Sequence, residues 1–220
     1  MIRPRVIPVL LLYHRGLVKT IKFKTPTYLG YPINIVRIFN DKEVDELIFL
    51  DIKATVEKRP PAFDVLEKIS SECFMPLGYG GGIRNLEDVK QLLRMGVEKT
   101  ILNTYALEKP SFVREVADYT GSQAVVVSMD VKKNLFGRYE VYIQNGRKGT
   151  GKSPFTLAVE MEKMGAGEIF LNSIDRDGTM QGYDIDLIRQ TSAKVGIPVI
   201  ACGGAGTIDH LAEAVITGGA

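Results

Sequence analysis

Carboxylates stand where apolar, strand-like segments of this chain end. Asp51 and Asp130 close two such segments, and Asp175 and Asp177 follow a third. An apolar run precedes Asp130, and apolar surroundings raise the pKa of a carboxyl group toward the range useful for proton transfer. We therefore expect Asp130 to be a catalytic acid or base. Asp51 and Asp175 have a second interpretation, in which they only bind backbone amides of their own loops.

Two glycine-rich segments predict phosphate binding. Gly82 ends one of them, and Gly203 and Gly204 form the other, which follows the last strand-like segment. Backbone N–H groups of glycines approach an anion closely, and the next helix adds its positive N-terminus. Asn103 and Thr104 would add an amide and a hydroxyl beside Gly82. Two such sites suit a ligand with a phosphate at each end, whereas the simpler interpretation is that the glycines only permit tight turns.

Charged residues lie at the opposite ends of four of these segments. They are Arg5, Glu46, Lys99 and Glu168, at the starts of the first, second, fourth and sixth. A buried charge is costly unless it is paired, so such a ring is a poor device for stability alone. It suits a plug that separates an apolar interior from a partner surface. Alternatively, some of the four form ordinary surface ion pairs, which contribute little.

Seven apolar strands alternate with seven amphipathic helices along the chain. The strands are continuously apolar, which is typical of parallel strands covered on both faces. The predicted strands are Val6–Leu11, Leu47–Asp51, Met75–Tyr79, Lys99–Asn103, Ala124–Asp130, Glu168–Asn172 and Pro198–Ala201. The predicted helices span about 32–42, 62–72, 86–95, 110–119, 154–164, 185–195 and 208–217. Long polar loops are expected after the first and fifth strands.

An internal repeat favours a barrel over a doubly wound open sheet. Phe49-Leu50-Asp51 recurs as Phe170-Leu171-Asn172, and the glycine segment Tyr79–Ile83 recurs as Cys202–Gly206. Two similar halves of four βα units explain such a repeat. The sequence thus predicts an α/β fold, a (β/α)8 TIM barrel with a half-barrel repeat, as one domain over residues 1–220. Seven of the eight βα units are recognised, so the last is missing, and we expect a truncated chain.

Composition excludes several classes of function. The 220 residues are 45% apolar and 25% charged, as in ordinary globular domains, and the net charge of +2 is too small to predict binding of nucleic acid or membrane. Cys73 and Cys202 have no metal-binding spacing, so no metal or cofactor is expected. No stretch approaches the roughly 20 apolar residues of a membrane span, and no signal peptide is recognised, so a cytoplasmic location is expected.

The chain resembles the HisF-type cyclase subunit of imidazole glycerol phosphate synthase along essentially its whole length. The resemblance is carried by the stretches at 5–8, 46–51, 80–83, 121–127, 165–169 and 173–179. It implies a barrel of the ribulose-phosphate-binding type that works with a HisH-type glutaminase. Ammonia from that partner would enter at the amino ends of the strands and react with a phosphorylated nucleotide at the carboxyl ends.

The resemblance also implies roles for individual residues. Arg5, Glu46, Lys99 and Glu168 match the family's ammonia gate. Phosphate- and substrate-binding positions match Lys19, Asp51, Gly82, Asn103, Thr104, Asp177, Gly203 and Gly204. Asp130 matches one of two essential acid/base aspartates, and the other falls on Leu11, which cannot transfer a proton. Loss of a general acid or base costs about 10²–10⁴-fold in rate.

The segment Leu11–Gly16 also replaces a polar stretch of the family. This pattern resembles a paralogous branch associated with surface-polysaccharide genes, where the ammonia is thought to serve a sugar amidotransferase that makes acetamidino groups. The leading hypothesis is therefore an ammonia-conducting barrel that has lost the histidine-pathway chemistry. The alternatives are an active cyclase in which His14 or Asp51 replaces the missing acid, a non-enzymatic activator of a glutaminase, and a doubly wound binding protein.

Overall fold

The structure is a computed structural model that describes residues 4–220. The chain divides into two compact units. The first contains the residues up to Lys19 together with Pro26–Leu102, and the second contains Thr20–Thr25 together with Asn103–Ala220.

The first unit is built on four parallel strands. Its elements, together with a hairpin whose tip Thr20–Thr25 belongs to the second unit, are β1 (Val9–Tyr13), β2 (Gly16–Ile21), β3 (Lys24–Gly30), α1 (Pro32–Asp41), β4 (Leu47–Asp51), α2 (Phe63–Ser70), β5 (Leu77–Gly80), α3 (Leu86–Arg94) and β6 (Lys99–Leu102). β4 pairs in parallel with β1 and with β5, and β5 pairs in parallel with β6. β2 returns antiparallel to β1.

Local sequence accounts for these elements. α3 begins where the Asn85 side chain accepts a hydrogen bond from the backbone N–H of Asp88, which satisfies one free donor of the first turn. Its buried face carries Val89 and Leu92, spaced by three residues as helix geometry requires. Proline occupies the first turn of α1, where its missing N–H has no helical partner to lose.

The second unit repeats the alternation of strand and helix. Its further elements are α4 (Thr104–Glu108), α5 (Ser111–Thr120), β7 (Val125–Lys133), β8 (Tyr139–Ile143), β9 (Lys148–Gly149), α6 (Pro154–Lys163), β10 (Glu168–Ser173), α7 (Ile185–Ser192), β11 (Val199–Cys202) and α8 (Ile208–Ile216). β10 pairs in parallel with β7 and with β11. β7, β8 and β9 form an antiparallel ribbon.

The predicted fold class is confirmed: parallel strands alternate with helices, as in a TIM barrel. All seven predicted strands and all seven predicted helices are present, with ends shifted by at most a few residues. The first strand starts at Val9 rather than Val6, and Pro8, which lies just before it, has no N–H to donate. The assignment of one domain over 1–220 stays a prediction.

The two predicted polar loops were wrong, because each contains an antiparallel hairpin. β2 and β3 follow β1, and β8 and β9 follow β7. All residues of β3 except Gly30 are exposed, so no apolar alternation marks this strand in the sequence. Within residues 4–220, no helix has the length and apolar character needed to cross a membrane.

Candidate active site

Asp130 lies buried on β7 in the second unit. The Asn103 side-chain amide donates a hydrogen bond to its Oδ2 at 3.0 Å. Burial raises the pKa of Asp130 to about 7, and the nearby charge of Asp177 adds to this, while the amides of Asn103 and Asn172 lower it. A carboxyl group with a pKa near 7 can both donate and accept a proton at neutral pH.

Asn172 and Cys202 extend this position across two more strands. Asn172 on β10 is opposite both Asp130 on β7 and Cys202 on β11, so the three side chains lie in a row. The Oδ1 atom of Asn172 is buried and has no hydrogen-bond partner among residues 4–220. Burial raises the pKa of the Cys202 thiol to about 12, so it is not a nucleophile near neutral pH.

Asp177 holds the tip of the β2–β3 hairpin. Its Oδ2 accepts hydrogen bonds from the Thr20 hydroxyl at 3.0 Å and from the Phe23 N–H at 3.2 Å. Its backbone carbonyl accepts from the Lys22 N–H at 3.0 Å. Burial raises the pKa of Asp177, and the bonds from Phe23 and Thr20 oppose this. Asp177 therefore positions the hairpin, while binding of a substrate by this residue stays a prediction.

The Asn103–Thr104 pair sits at the start of α4, and its polar groups are already engaged. The Thr104 hydroxyl accepts a hydrogen bond from the Gln144 N–H at 3.0 Å and lies 3.5 Å from the Asn103 side-chain oxygen. The Asn103 amide nitrogen is directed to Asp130. A phosphate that binds to this pair would have to replace these hydrogen bonds with its own.

Gly203 and Gly204 form the turn after β11. Their φ angles of +92° and +108° lie in a region that residues with a side chain rarely adopt. A Cβ on Gly203 would lie 2.7 Å from the Ser173 carbonyl oxygen, and a Cβ on Gly204 would overlap the Gly182 carbonyl oxygen. The Gly204 carbonyl accepts the Gly182 N–H at 2.8 Å. The packing therefore requires glycine at both positions, and phosphate binding at this turn stays a prediction.

Asp51 at the end of β4 binds its own loop. Its Oδ1 accepts hydrogen bonds from the N–H groups of Lys53 at 3.0 Å and Ala54 at 2.9 Å. The guanidinium of Arg59 lies 3.4 Å from both carboxylate oxygens, and the Asp51 side chain is wholly buried. This is the geometry expected if Asp51 only caps its loop, and a substrate contact stays a prediction.

Gly82 lies in the same region of the first unit. It has a φ of +77°, and a Cβ there would lie 2.8 Å from the Arg59 carbonyl oxygen. A common phosphate site with Asn103 and Thr104, which belong to the second unit, stays a prediction.

Leu11 is half-buried on β1, opposite Leu50 of β4 and Val18 of β2. Its apolar side chain thus has apolar neighbours. His14, one proposed substitute for the missing acid, is exposed, and its Nε2 lies 3.7 Å from the Glu57 carboxylate. Lys19 is exposed on β2. From the sequence we expect Leu11 and Asp130 to face each other across the mouth of the barrel, and this placement stays a prediction, since the two residues belong to different units.

A charge cluster around one buried carboxylate lies at the amino ends of the strands of the first unit. Arg5 Nη1 and Lys99 Nζ both lie 2.8 Å from one oxygen of Glu46, Oε2. The Glu46 side chain is only 3% exposed, and its Oε1 has no hydrogen-bond partner in the described part of the chain. Glu168, the fourth predicted member, is buried at the start of β10 in the second unit. The ring of four stays a prediction.

The described residues contain no group of three or more His, Cys, Asp or Glu side chains that could hold a metal ion.

A model of the family described as histidine biosynthesis protein matches residues 5–220. The chain belongs to this family. A Pseudomonas aeruginosa protein named "Putative imidazole glycerol phosphate synthase subunit hisF2" is 51% identical over 213 residues, which are 97% of this chain and 85% of that protein. The imidazole glycerol phosphate synthase subunit HisF of Alkaliphilus metalliredigens is 44% identical over 218 residues, which are 99% of this chain and 86% of that protein. The predicted resemblance is confirmed.

Sequence reasoning missed Asn172 as a candidate residue. The internal repeat that aligns Asn172 with Asp51 was the available signal, because it places a polar side chain at the end of the corresponding strand. Cys202 was likewise considered only as a metal ligand or a disulfide partner. The strand register, which cannot be read from the sequence, places Asn172 beside Asp130 and Cys202 beside Asn172.

Proposed function

We propose that this histidine biosynthesis family member conducts ammonia from a HisH-type glutaminase, bound at the amino ends of the strands, to the carboxyl ends. The ammonia would serve a separate sugar amidotransferase in surface-polysaccharide biosynthesis rather than the histidine pathway. The observation that carries this proposal is the buried Glu46 carboxylate, held on one oxygen by both Arg5 and Lys99.

The cluster suits a gate because it closes an apolar surface. Side chains two residues apart on a strand point to the same face, so Ile48 and Leu50 lie on the face that carries Glu46. For the same reason Ile101 lies on the face that carries Lys99. A Cβ on Gly78 would lie 3.0 Å from both Ile48 and Ile101, which supports their meeting on this face. Neutral ammonia can cross such a surface, whereas ammonium would incur the full cost of desolvation. Movement of Lys99 would open the way, since Arg5 still neutralises Glu46.

Leu11 supports an acceptor other than the histidine-pathway nucleotide. The chain keeps Asp130 with a pKa of about 7, but a cyclase that uses two coupled proton-transfer groups loses about 10²–10⁴-fold when one is removed. Of the two substitutes, Asp51 is held by its own loop and His14 is exposed beside Glu57. Neither contact favours proton transfer at a substrate.

The raised pKa of Asp130 favours one second candidate, an active cyclase that uses Asp130 alone as both acid and base. Such a cyclase would convert the histidine-pathway nucleotide with free ammonium as its nitrogen source, whereas the leading proposal expects no such turnover. The assay of that reaction separates the two.

The test of the proposed gate is Lys99→Ala in the complex with the glutaminase and the amidotransferase. The measured quantity is the number of glutamines hydrolysed per acceptor molecule amidinated. We expect a ratio near one for the parent and a ratio changed at least twofold for the variant, measured under conditions in which an unfolding curve shows the variant to be folded. Lys68→Ala, an exposed lysine on α2, is the control. An unchanged ratio for Lys99→Ala contradicts the gate.

A further inference from the structure

The antiparallel ribbon of the second unit ends in two fully exposed apolar side chains. β7 and β8 are joined by a turn at 134–138, and we call residues 131–152 the basic hairpin. Leu135 is 102% exposed and Phe136 is 88% exposed, at the far end of this turn. Two adjacent large apolar side chains in water lose the favourable burial that an interior or a partner would give them.

The turn that presents them is firmly structured. The Asn134 side-chain oxygen accepts hydrogen bonds from the N–H groups of Phe136 at 3.0 Å and Arg138 at 3.1 Å. The Asn134 N–H donates to the Arg138 carbonyl, and the Gly137 N–H donates to the Asn134 carbonyl, each at 2.9 Å. Leu135 and Phe136 are therefore held in place before any partner binds, which lowers the entropy lost on docking.

The basic hairpin is also the most unevenly charged part of the second unit. Residues 131–152 contain six lysines and arginines and a single acid, Glu140, although the whole chain has a net charge of only +2. The six basic residues are exposed: Lys132, Lys133, Arg138, Arg147, Lys148 and Lys152. A partner surface that complements this hairpin is acidic.

We infer that the basic hairpin is the docking site for the enzyme that accepts the ammonia, through an apolar pocket with an acidic rim on that enzyme. This inference rests on the proposed function. Asp130 is on the same strand as the hairpin, three residues or about 10 Å from the end of β7. Neutral ammonia that reaches the carboxyl ends must pass to an acceptor before water protonates it, so the acceptor has to be seated beside this strand.

The foot of the hairpin favours a pocketed protein over an anionic membrane. The Lys133 N–H donates to the Asp175 carboxylate at 3.0 Å, and the Tyr139 hydroxyl donates to Asp184 at 2.7 Å. A cleft of about 470 Å³ at this foot is lined by four acids, Asp175, Asp184, Asp186 and Glu213, and by two cations, Lys133 and Arg176. A flat anionic surface would bring lipid phosphates within about a Debye length of these acids, which outnumber the two cations, and would be repelled. A pocket that receives only the tip avoids them.

The experiment measures binding of the purified sugar amidotransferase to the intact chain by calorimetry. The variant Leu135→Ser/Phe136→Ser keeps Asn134 and Gly137, which form the turn. An unfolding curve checks that the variant protein is folded. We expect the dissociation constant to rise at least 30-fold and that of the parent to rise with added salt. Phe74→Ser removes a phenylalanine of similar exposure, 86%, from the loop before β5 and should leave binding unchanged.

Equal binding by the double variant and the parent overturns the inference. So does Phe136-dependent sedimentation of the parent with vesicles of phosphatidylglycerol and phosphatidylcholine, which would identify a membrane site. Failure of the proposed function is distinguishable: the amidotransferase would then bind through the hairpin without receiving nitrogen from glutamine. Conversely, nitrogen transfer that is unaffected by the double variant leaves the conduit standing and removes the docking site.

Discussion

Replacing Asp130 with asparagine should make the protein progressively more stable than the parent as the pH rises from 4 to 8. In the folded state burial raises the pKa of Asp130 to about 7 from 3.8. In the unfolded chain this carboxyl group titrates near its ordinary value of about 3.9. Between these values the folded state holds a proton that the unfolded state has lost, so the parent loses stability with increasing pH.

The magnitude follows from the size of the shift. About three pKa units, at about 1.4 kcal/mol each, give ~4 kcal/mol of stability lost by the parent between pH 4 and pH 8. Asparagine has no charge to bury, and its side-chain oxygen can still accept the hydrogen bond of the Asn103 amide. The advantage of Asp130→Asn over the parent should therefore grow by up to about 4 kcal/mol over this range.

The assay is urea unfolding of parent and variant at pH 4, 5.5, 7 and 8. Other titrating groups are common to both proteins, so they cancel in the difference. Asp118→Asn, at an exposed position on α5, is the control and should show no such trend. A difference that stays constant within about 0.5 kcal/mol across the range would refute the buried, proton-holding state of Asp130.

Three further predictions concern chemistry, ligand binding and the charge cluster. With the histidine-pathway nucleotide and free ammonium, turnover should be at least about 100-fold below that of a cyclase with both aspartates, and turnover within tenfold would contradict the role given to Leu11. Calorimetry should detect binding of inorganic phosphate, and Gly204→Val should weaken that binding at least tenfold. Gly151→Ala, at a glycine of positive φ with open space around it, should leave the binding unchanged. Equal losses of phosphate binding in the two variants would exclude the turn as the site. Glu46→Gln should lower the free energy of unfolding by about 3 kcal/mol, because Arg5 and Lys99 lose their shared carboxylate. Glu72→Gln, in an exposed pair with Arg37, should lower it by less than about 1 kcal/mol. Equally small changes in both variants would show that the Glu46 carboxylate is not buried.

The sequence predicts the parallel framework well because its strands are buried on both faces. Segments such as Leu47–Asp51 are apolar up to their last residue, and their ends are marked by polar residues. The hairpins were missed for the opposite reason. β3 has no buried residue, and the basic hairpin is rich in lysine and arginine, so both have the composition of loops.

Parts of the candidate site depend on geometry that no sequence pattern contains. Asp51 was open to two interpretations, and the distances to Lys53 and Ala54 favour the loop cap. The apolar run before Asp130 did predict the direction of its pKa shift. The pairing of Asn172 with Asp130 depends on strand register, which is set by the packing of whole strands.

The most direct test of ammonia conduction is isotope tracing in the assembled complex. Glutamine labelled with ¹⁵N in its amide group is supplied together with a large excess of unlabelled ammonium in the solvent, and the amidinated product of the amidotransferase is analysed by mass spectrometry. Conduction behind the Glu46 cluster predicts that most product molecules carry ¹⁵N. Product whose label matches the diluted ammonium of the solvent would contradict the account.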